Sequence, residues 1–364
     1  MKNIKPLITS PHMGNTYIAV KAFLETVGCL YVPCPPTSRR TIELGARYSP
    51  EFACFPFKVT LGNMIEALEK GANVILMAAG RKGLCRLAYY HIVQEKILKN
   101  LGFEFEMVGL GNNLRDVLSR KIELWSGKRS TLPGLIKATA ITFRKLKLIR
   151  KIENLTRNLR PYQVERGEVE KISRKALALT EEAKTFSQLK TVEREIKRLF
   201  TSIPIMKKRE VLKVVVVGEF FCCLEPAVSF QIEKILGEMG VLVTNNMSSY
   251  RLAKGFLFPD LQKWWINRFI VKKYLRYSGG GEERRTLGEI EIYARKGYDG
   301  VCILSPFLCL PENTAKTILP SLSKKFKIPV LSFSLDENFS EVNMLTRVES
   351  FVDMLRRKKN VSGN

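Results

Sequence analysis

The sequence lacks several features that would assign it to a common class of protein. No apolar run reaches the ~18 residues that a membrane-spanning helix needs, so we expect no transmembrane segment. The first residues, MKNIKPLITSPHMG, have neither a long apolar core nor a small-residue cleavage site. We therefore expect no signal peptide and a cytoplasmic location. The chain also has no G-x4-G-K-S/T and no G-x-G-x-x-G motif, so we expect it not to hydrolyse ATP by itself.

Cysteine is present, but no compact C-x2-C run occurs. The eight cysteines lie at positions 29, 34, 54, 85, 222, 223, 302 and 309. In a large intracellular α/β protein, such cysteines are expected to be reduced thiols and not a disulfide framework. Cys29 and Cys302 lie in or beside apolar runs, and Cys222 and Cys223 follow one, so we predict that these four pack in the core.

Acidic residues are scarce in the middle of the chain. The whole sequence has 60 Lys and Arg against 35 Asp and Glu, a net charge of +25, and the segment 118–209 has 24 Lys and Arg against 9 Glu and no Asp. Aromatic residues are sparse there, so no base-stacking platform for nucleic acid is evident. Three interpretations stay open: a solvated helical face, a docking surface for an acidic partner or an acyl-CoA tail, and nucleic-acid binding.

Short apolar segments rich in Val and Ile alternate with helical patterns twice along the chain. The predicted strands are PLITS (6–10), CLYVP (29–33), NVILMAA (73–79), FEMVGL (105–110), KVVVVGE (213–219), VLVTN (241–245), GVCILSP (300–306) and PVLSFS (329–334). Because fully apolar strands suit parallel sheets covered on both faces, the alternation predicts an α/β fold. We expect two Rossmann-like (flavodoxin-like) parallel-sheet domains, at 1–116 and 211–364, with a basic helical insert at 117–210 between them.

Three cysteines follow predicted strands or open predicted helices. Cys309 lies just after GVCILSP, Cys54 precedes a helix in EFACFPFKVTLGNMIEAL, and Cys85 follows NVILMAA. Ligands in parallel sheets bind beyond the carboxyl ends of strands, and a helix N-terminus stabilises a thiolate. Three such thiolates suit a soft metal centre, such as an iron–sulfur cluster with one iron left open. The spacing alone fits three unconnected loop cysteines better.

Five segments carry a resemblance to a known family. They are PPTSRRTIELGARYSPEFACFPFKVTLGNMIEAL, GLCRLAYYHIVQEKILKNLGF, VVVVGEFFCCLEPAVSFQIEKILGEMGV, TLGEIEIYARKGYDGVCILSPFLCLPENTAKTILPSLSKKFKIPVLSFSLDEN and LTRVESFVDML. In order and spacing they resemble the 2-hydroxyacyl-CoA dehydratase component family, and within it the branch of CoA-substrate-specific activase-related proteins, also called CoA protein activases. The resemblance covers most of the two predicted α/β domains and is poor in the basic middle.

The resemblance implies a cofactor and its ligands. Cysteines at the corresponding places of that family hold an iron–sulfur cluster, so Cys54, Cys85 and Cys309 are the implied ligands of a 4Fe–4S or double-cubane cluster in the cleft between the two domains. A separate ATP-dependent activase or reductase would reduce it, and one electron would pass to an acyl-CoA or small-molecule substrate. The implied activity is that of a lyase or reductase of anaerobic metabolism, in a homo- or heterodimer.

Two other functions stay open. The chain could be a non-catalytic accessory or electron-relay subunit of a dehydratase–activase complex. This is favoured because Gly280, Gly281 and Glu282 stand where relatives often carry a histidine. It could also be a basic nucleic-acid-binding protein without metal, although we expect neither nucleic acid nor membrane as a partner.

Several further residues are candidates for the same site. His12, Cys34, Arg86, Glu219 and Glu225 are predicted to line the cleft, because each follows or adjoins a predicted strand-end loop. Each also has a simpler explanation, such as loop packing for Cys34 or helix capping for Glu225. The glycine-rich segment YSGGGEERRTLGE precedes a helix and could hold a phosphate of CoA. The predicted phosphate-binding residues are Gly279, Gly280 and Gly281, although a mobile loop explains three glycines equally well.

Overall fold

The structure, a computed structural model, describes residues 5–78, 85–111, 116–129, 131–206 and 211–362. The chain divides into two units. The first comprises Met1–Lys147 with Thr180–Lys190, and the second comprises Leu148–Leu179 with Thr191–Asn364. The basic segment predicted as an insert, 117–210, is thus shared between both units, and its residues 130 and 207–210 lie outside the described part.

The first unit contains a sheet of four parallel strands in the order β2-β1-β3-β4. The strands are β1 (Leu7–Thr9), β2 (Leu30–Tyr31), β3 (Val74–Met77) and β4 (Glu106–Gly109). All four residues of β3 are buried. Ile75 and Met77 pack into one apolar cluster, whereas Val74 and Leu76 pack into another. The sheet is therefore covered on both faces, as its apolar strands predicted.

The helices of the first unit surround this sheet. They are α1 (Thr16–Thr26), α2 (Arg39–Tyr48), α3 (Phe55–Glu69), a 3₁₀ turn (Arg86–Tyr89), α4 (Tyr90–Asn100), a π turn (Val117–Lys121) and α5 (Ile122–Ser126). Three further helices contribute to both units: α6 (Leu132–Leu159), α7 (Glu168–Glu182) and α8 (Phe186–Thr201). A 3₁₀ turn (Arg160–Tyr162) follows α6.

The second unit contains another sheet of four parallel strands, in the order β6-β5-β7-β8. The strands are β5 (Leu212–Gly218), β6 (Val241–Asn245), β7 (Gly300–Pro306) and β8 (Val330–Leu335). The helices are α9 (Phe220–Leu224), α10 (Ile232–Glu238), α11 (Ser249–Leu257), α12 (Leu261–Trp265), α13 (Glu283–Arg295), α14 (Leu310–Phe326) and α15 (Glu341–Ser362). A π turn (Ile266–Ile270) and a 3₁₀ turn (Val271–Lys273) follow α12.

The two sheets have the same strand order, with the first strand between the second and the third. This is the flavodoxin-like order, and the predicted α/β fold with two parallel-sheet units is confirmed. Strands 241–245 and 300–306 match their predicted limits, while the others shift or shorten at their ends. Residue 79, the last of the predicted strand 73–79, lies outside the described residues. Among the described helices, none combines the length and apolar character needed to cross a membrane.

Helices α2 and α3 cross at two glycines, and this crossing fixes the helix that begins after Cys54. A Cβ atom added to Gly62 would lie 1.9 Å from the backbone oxygen of Thr41, and one added to Gly45 would lie 1.7 Å from that of Lys58. The backbones are therefore in direct contact, and neither position has room for a side chain.

We expect Gly62→Ala to lower the free energy of unfolding by about 3 kcal/mol, because backbone atoms must move to admit the methyl group. Thermal and denaturant unfolding would measure the loss. The control is Gly255→Ala in α11, where an added Cβ meets nothing within 4 Å. That substitution should be neutral or stabilise by about 0.5–1 kcal/mol, because alanine is the better helix former. Equal unfolding midpoints for the two variants would contradict the close crossing.

Candidate functional site

The three cysteines predicted as metal ligands occupy equivalent local positions. Cys54 is the N-cap of α3, Cys309 is the N-cap of α14, and Cys85 is the N-cap of the 3₁₀ turn before α4. Pro56 and Pro311 stand in the first turns after Cys54 and Cys309, where a missing N–H costs no hydrogen bond. None of the other five cysteines, all within the described residues, is an N-cap. An N-cap places a thiol at the positive end of a helix.

In the first unit, Arg86, in the 3₁₀ turn after Cys85, contacts the loop of Cys54. Its exposed guanidinium donates through Nη1 to the backbone oxygen of Phe52, at 2.8 Å. The buried hydroxyl group of Tyr90, four residues after Arg86, is hydrogen-bonded to Sγ of Cys54. The structure therefore brings the Cys54 loop against the 3₁₀ turn and helix that follow Cys85, with Cys54 half-buried.

His12 and Cys34 also lie together in the first unit, beyond the carboxyl ends of β1 and β2. The Cys34 thiol is 3.4 Å from Oγ1 of Thr9 and donates to the backbone oxygen of Asn63, also at 3.4 Å. Burial raises the pKa of Cys34 to about 12, although hydrogen bonds from Thr9 and the His12 backbone oppose this. The imidazole ring of His12 stacks on Tyr17, with centroids 6.1 Å apart. This environment favours a neutral, packed Cys34 thiol over a metal ligand.

In the second unit, chemically reactive side chains collect where β5 and β7 end side by side. Glu219 follows β5 directly and caps α9, accepting a hydrogen bond from the Cys222 backbone N–H at 2.9 Å. Cys309 and Glu312 follow β7 at the start of α14. Leu308 turns the chain between strand and helix with a φ of 64°, a left-handed conformation that is strained for a non-glycine residue.

Two carboxyl groups at this edge have raised pKa values. Glu312 is 1% exposed and accepts hydrogen bonds from Oγ1 of Thr286 at 3.2 Å. Burial, followed by the nearby Glu219 carboxylate, raises the pKa of Glu312 to about 8. Burial likewise raises the pKa of Glu219 to about 7. On the same helix as Glu312, burial lowers the pKa of Lys316 despite the nearby carboxylate. At neutral pH this edge can therefore hold and release protons.

The glycine-rich loop is folded around a carboxylate of the same chain. Gly279 and Gly281 donate their backbone N–H groups to the two oxygens of Glu283, at 2.6 and 3.1 Å, and Gly280 donates to a serine hydroxyl group. The Glu283 residue is fully buried. A Cβ atom on Gly281 would lie 2.7 Å from Cβ of Pro311, so the loop packs directly on the segment that follows Cys309. A phosphate group in this loop would have to displace Glu283.

Glu225 and four of the cysteines have local structural roles. Glu225 is 2% exposed at the C-cap of α9, and its Oε1 accepts from the Ala227 N–H at 3.2 Å. The predicted core cysteines are all buried, as expected: Cys29, Cys222, Cys223 and Cys302. Desolvation raises the pKa of each of these thiols, which favours the neutral form.

The proposed metal ligands belong to both units: Cys54 and Cys85 to the first, and Cys309 to the second. Within the described residues, no group of three or more His, Cys, Asp or Glu side chains is arranged to hold a metal ion. All eight cysteines lie in the described part of the chain, and none is in a disulfide.

No family model matches the sequence, and no curated protein matches it either. The resemblance to the 2-hydroxyacyl-CoA dehydratase component family therefore stays a prediction that rests on the five segments quoted above.

The sequence analysis missed Glu312, Thr286, Lys316 and Tyr90. The sequence did contain a signal for Glu312 and Lys316. Positions 309, 312 and 316 are spaced by three and four residues, so they share one face of α14. Glu312 appeared as an ordinary acidic residue in the first turn of a helix, where it complements the helix dipole. Thr286 and Tyr90 join the site through contacts between distant segments, which no local pattern reports.

Glu312→Gln tests the buried carboxyl group. A folded-state pKa near 8, against an ordinary value of 4.5, means that the folded protein binds more protons than the unfolded chain between these values. The contribution of Glu312 to stability is therefore complete below about pH 4.5 and is lost as the pH rises through about 8. The glutamine side chain of the variant cannot ionise, so we expect the variant to match the wild type near pH 5 and to unfold at least about 2–4 °C higher at pH 8.5.

Thermal unfolding between pH 5 and 8.5 would measure this difference. The control is Glu165→Gln, at an exposed position of the same unit, which should reproduce the pH profile of the wild type. A Glu312→Gln difference that stays constant across this range would contradict the raised pKa.

Proposed function

We propose that this protein is an iron–sulfur redox protein of the 2-hydroxyacyl-CoA dehydratase type, with Cys54, Cys85 and Cys309 as cluster ligands. The observation that supports this is the shared N-cap position of these three cysteines and of no others. They are also the three that the family resemblance implies. Shared position and resemblance are separate lines of support, because the resemblance does not depend on capping geometry.

The chemistry of the donor set fits such a cluster. Iron–sulfur clusters take cysteine thiolates, and a helix N-terminus favours the charged form of a thiol. The five remaining cysteines are buried among apolar or hydrogen-bonded neighbours, and burial raises the pKa of each. Their raised pKa values make these five poor ligands, whereas Cys309, although also buried, stands at an N-cap. When bound, a cluster would supply one-electron transfer to an acyl-CoA or another small molecule, with the electron coming from a separate ATP-dependent activase.

The residues around Cys309 would supply proton handling. With a pKa of about 8, Glu312 holds a proton on its carboxyl oxygen at neutral pH, one turn of helix from the proposed ligand. Glu219, with a pKa of about 7, could take up or release a second proton. Loss of a hydroxyl group from a substrate needs a proton donor, so this pair suits a dehydratase.

The second candidate is an electron-relay or accessory subunit. It is favoured by the glycine-rich loop, whose N–H groups already bind Glu283 and so leave no donor there for a phosphate of CoA. Under either candidate, eight cysteines outside disulfides suit a reducing compartment, and we place the protein in the cytoplasm.

Iron and acid-labile sulfide should co-purify with the protein under anaerobic conditions and give it a brown visible spectrum. We expect Cys309→Ala and Cys54→Ala to lose most of the iron, because each removes a proposed ligand. The matched control is Cys302→Ala, seven residues away and fully buried in β7, which should keep the iron. A wild-type protein that stays colourless after reconstitution with iron and sulfide would contradict the proposal. Equal iron loss in all three variants would also contradict it.

A second experiment separates the two candidates. The reconstituted protein is mixed with an ATP-dependent activase of the dehydratase type, ATP and a 2-hydroxyacyl-CoA. A dehydratase would form the enoyl-CoA. A relay would be reduced, as seen by bleaching of the visible spectrum, without product.

A further inference from the structure

A pocket lies in the second unit, beyond the carboxyl end of β6. Its volume is about 470 Å³, within the range of small-molecule sites. It is formed by Asn246, directly after β6, by one face of α11 with the segment that follows it, and by Arg150 of α6. Ligands of parallel sheets bind beyond the carboxyl ends of strands. The pocket shares no lining residue with the Cys309 loop or with the glycine-rich loop.

The pocket carries an excess of positive charge. Three basic side chains line it, and one acidic side chain, Asp260, opposes them. Asp260 forms an ion pair with Arg251, whose Nε and Nη2 donate to its carboxylate at 3.1 and 3.0 Å. Within the described part of the chain, no carboxylate lies within ion-pair distance of Arg150 or Lys254. Two cations therefore face the pocket without a counter-ion, which favours an anionic ligand such as a phosphate.

The remaining lining suits a flat ring with polar groups at its edge. Phe258 is 56% exposed at the mouth of the pocket. The guanidinium group of Arg150 lies over the ring of Tyr250, 5.8 Å from its centroid. Asn246 donates through Nδ2 to the hydroxyl group of Tyr293 at 2.7 Å, which orients its side chain and leaves Oδ1 to accept a hydrogen bond. An exposed aromatic face beside cations is how proteins hold nucleotide bases and phosphates together.

We propose that this pocket binds a nucleoside phosphate, with the phosphate on Arg150 and Lys254 and the base against Phe258. The Oδ1 atom of Asn246 would accept a hydrogen bond from the ribose or the base. This binding does not depend on the cluster, so a colourless protein would leave it unaffected.

Binding of nucleotides to the full-length protein would be measured by calorimetry at two salt concentrations. The probes are the four ribonucleoside 5′-monophosphates, adenosine and inorganic phosphate. We expect at least one monophosphate to bind more tightly than either adenosine or phosphate. Lys254→Gln should weaken that binding about tenfold, because it removes a charge-assisted hydrogen bond from an exposed side chain. Phe258→Ala should weaken binding of the nucleotide by a similar factor and leave binding of inorganic phosphate unchanged.

The control is Lys171→Gln, which removes a charge from an exposed position outside the pocket. It should bind the monophosphate as the wild type does. Three results would each overturn the proposal: no monophosphate binds, inorganic phosphate binds as tightly as the nucleotides, or Lys171→Gln weakens binding as much as Lys254→Gln. The last result would mean that the net charge of +25 attracts anions without a site.

Discussion

In both sheets the first strand lies between the second and the third, and the chemistry of the second unit depends on this constraint. The chain leaves adjacent strands β5 and β7 toward opposite faces of such a sheet, so the loops at their carboxyl ends separate and leave a crevice. The loop after β5 carries Glu219, and the loop after β7 carries Cys309 and Glu312. Residues about ninety positions apart therefore meet because of strand order and not because of any local motif.

Burying a charged carboxylate in this crevice has a high free-energy cost. Burial, and after it the nearby Glu219 carboxylate, disfavours ionisation of Glu312, and burial also disfavours ionisation of Glu219. The Thr286 hydroxyl group alone does not compensate for a buried carboxylate. Glu283, by contrast, accepts hydrogen bonds from two backbone N–H groups of the glycine-rich loop. Neighbouring carboxyl groups thus differ in role because their hydrogen-bond donors differ.

The sequence predicted the fold better than the site. Apolar runs such as 241–245 and 300–306 identified strands to the residue. In 300–306 every residue is buried, and burial on both faces leaves a continuous hydrophobic signal. The Cys54 and Cys309 loops were found because helix starts and strand ends are local features. The partners of these loops were not, because Thr286 and Tyr90 come from segments whose approach is set by tertiary packing. The occupant of the glycine-rich loop, Glu283, lies only a few residues away but appeared as an ordinary helix start.

Burial raises the pKa of five of the eight thiols, and the other three cysteines stand at N-caps. For thiols inside a strand or a short helix, such as Cys302 and Cys222, burial is the largest cause of a raised pKa, so the neutral form is favoured. A thiol at an N-cap is held outside the first turn, where the unpaired N–H groups of the helix create positive potential. Core packing alone does not explain why three cysteines share this position, after β7 for Cys309 and between α2 and α3 for Cys54. A requirement for thiolates would select it, and that is the chemical reason to look for a soft metal bound to Cys54, Cys85 and Cys309.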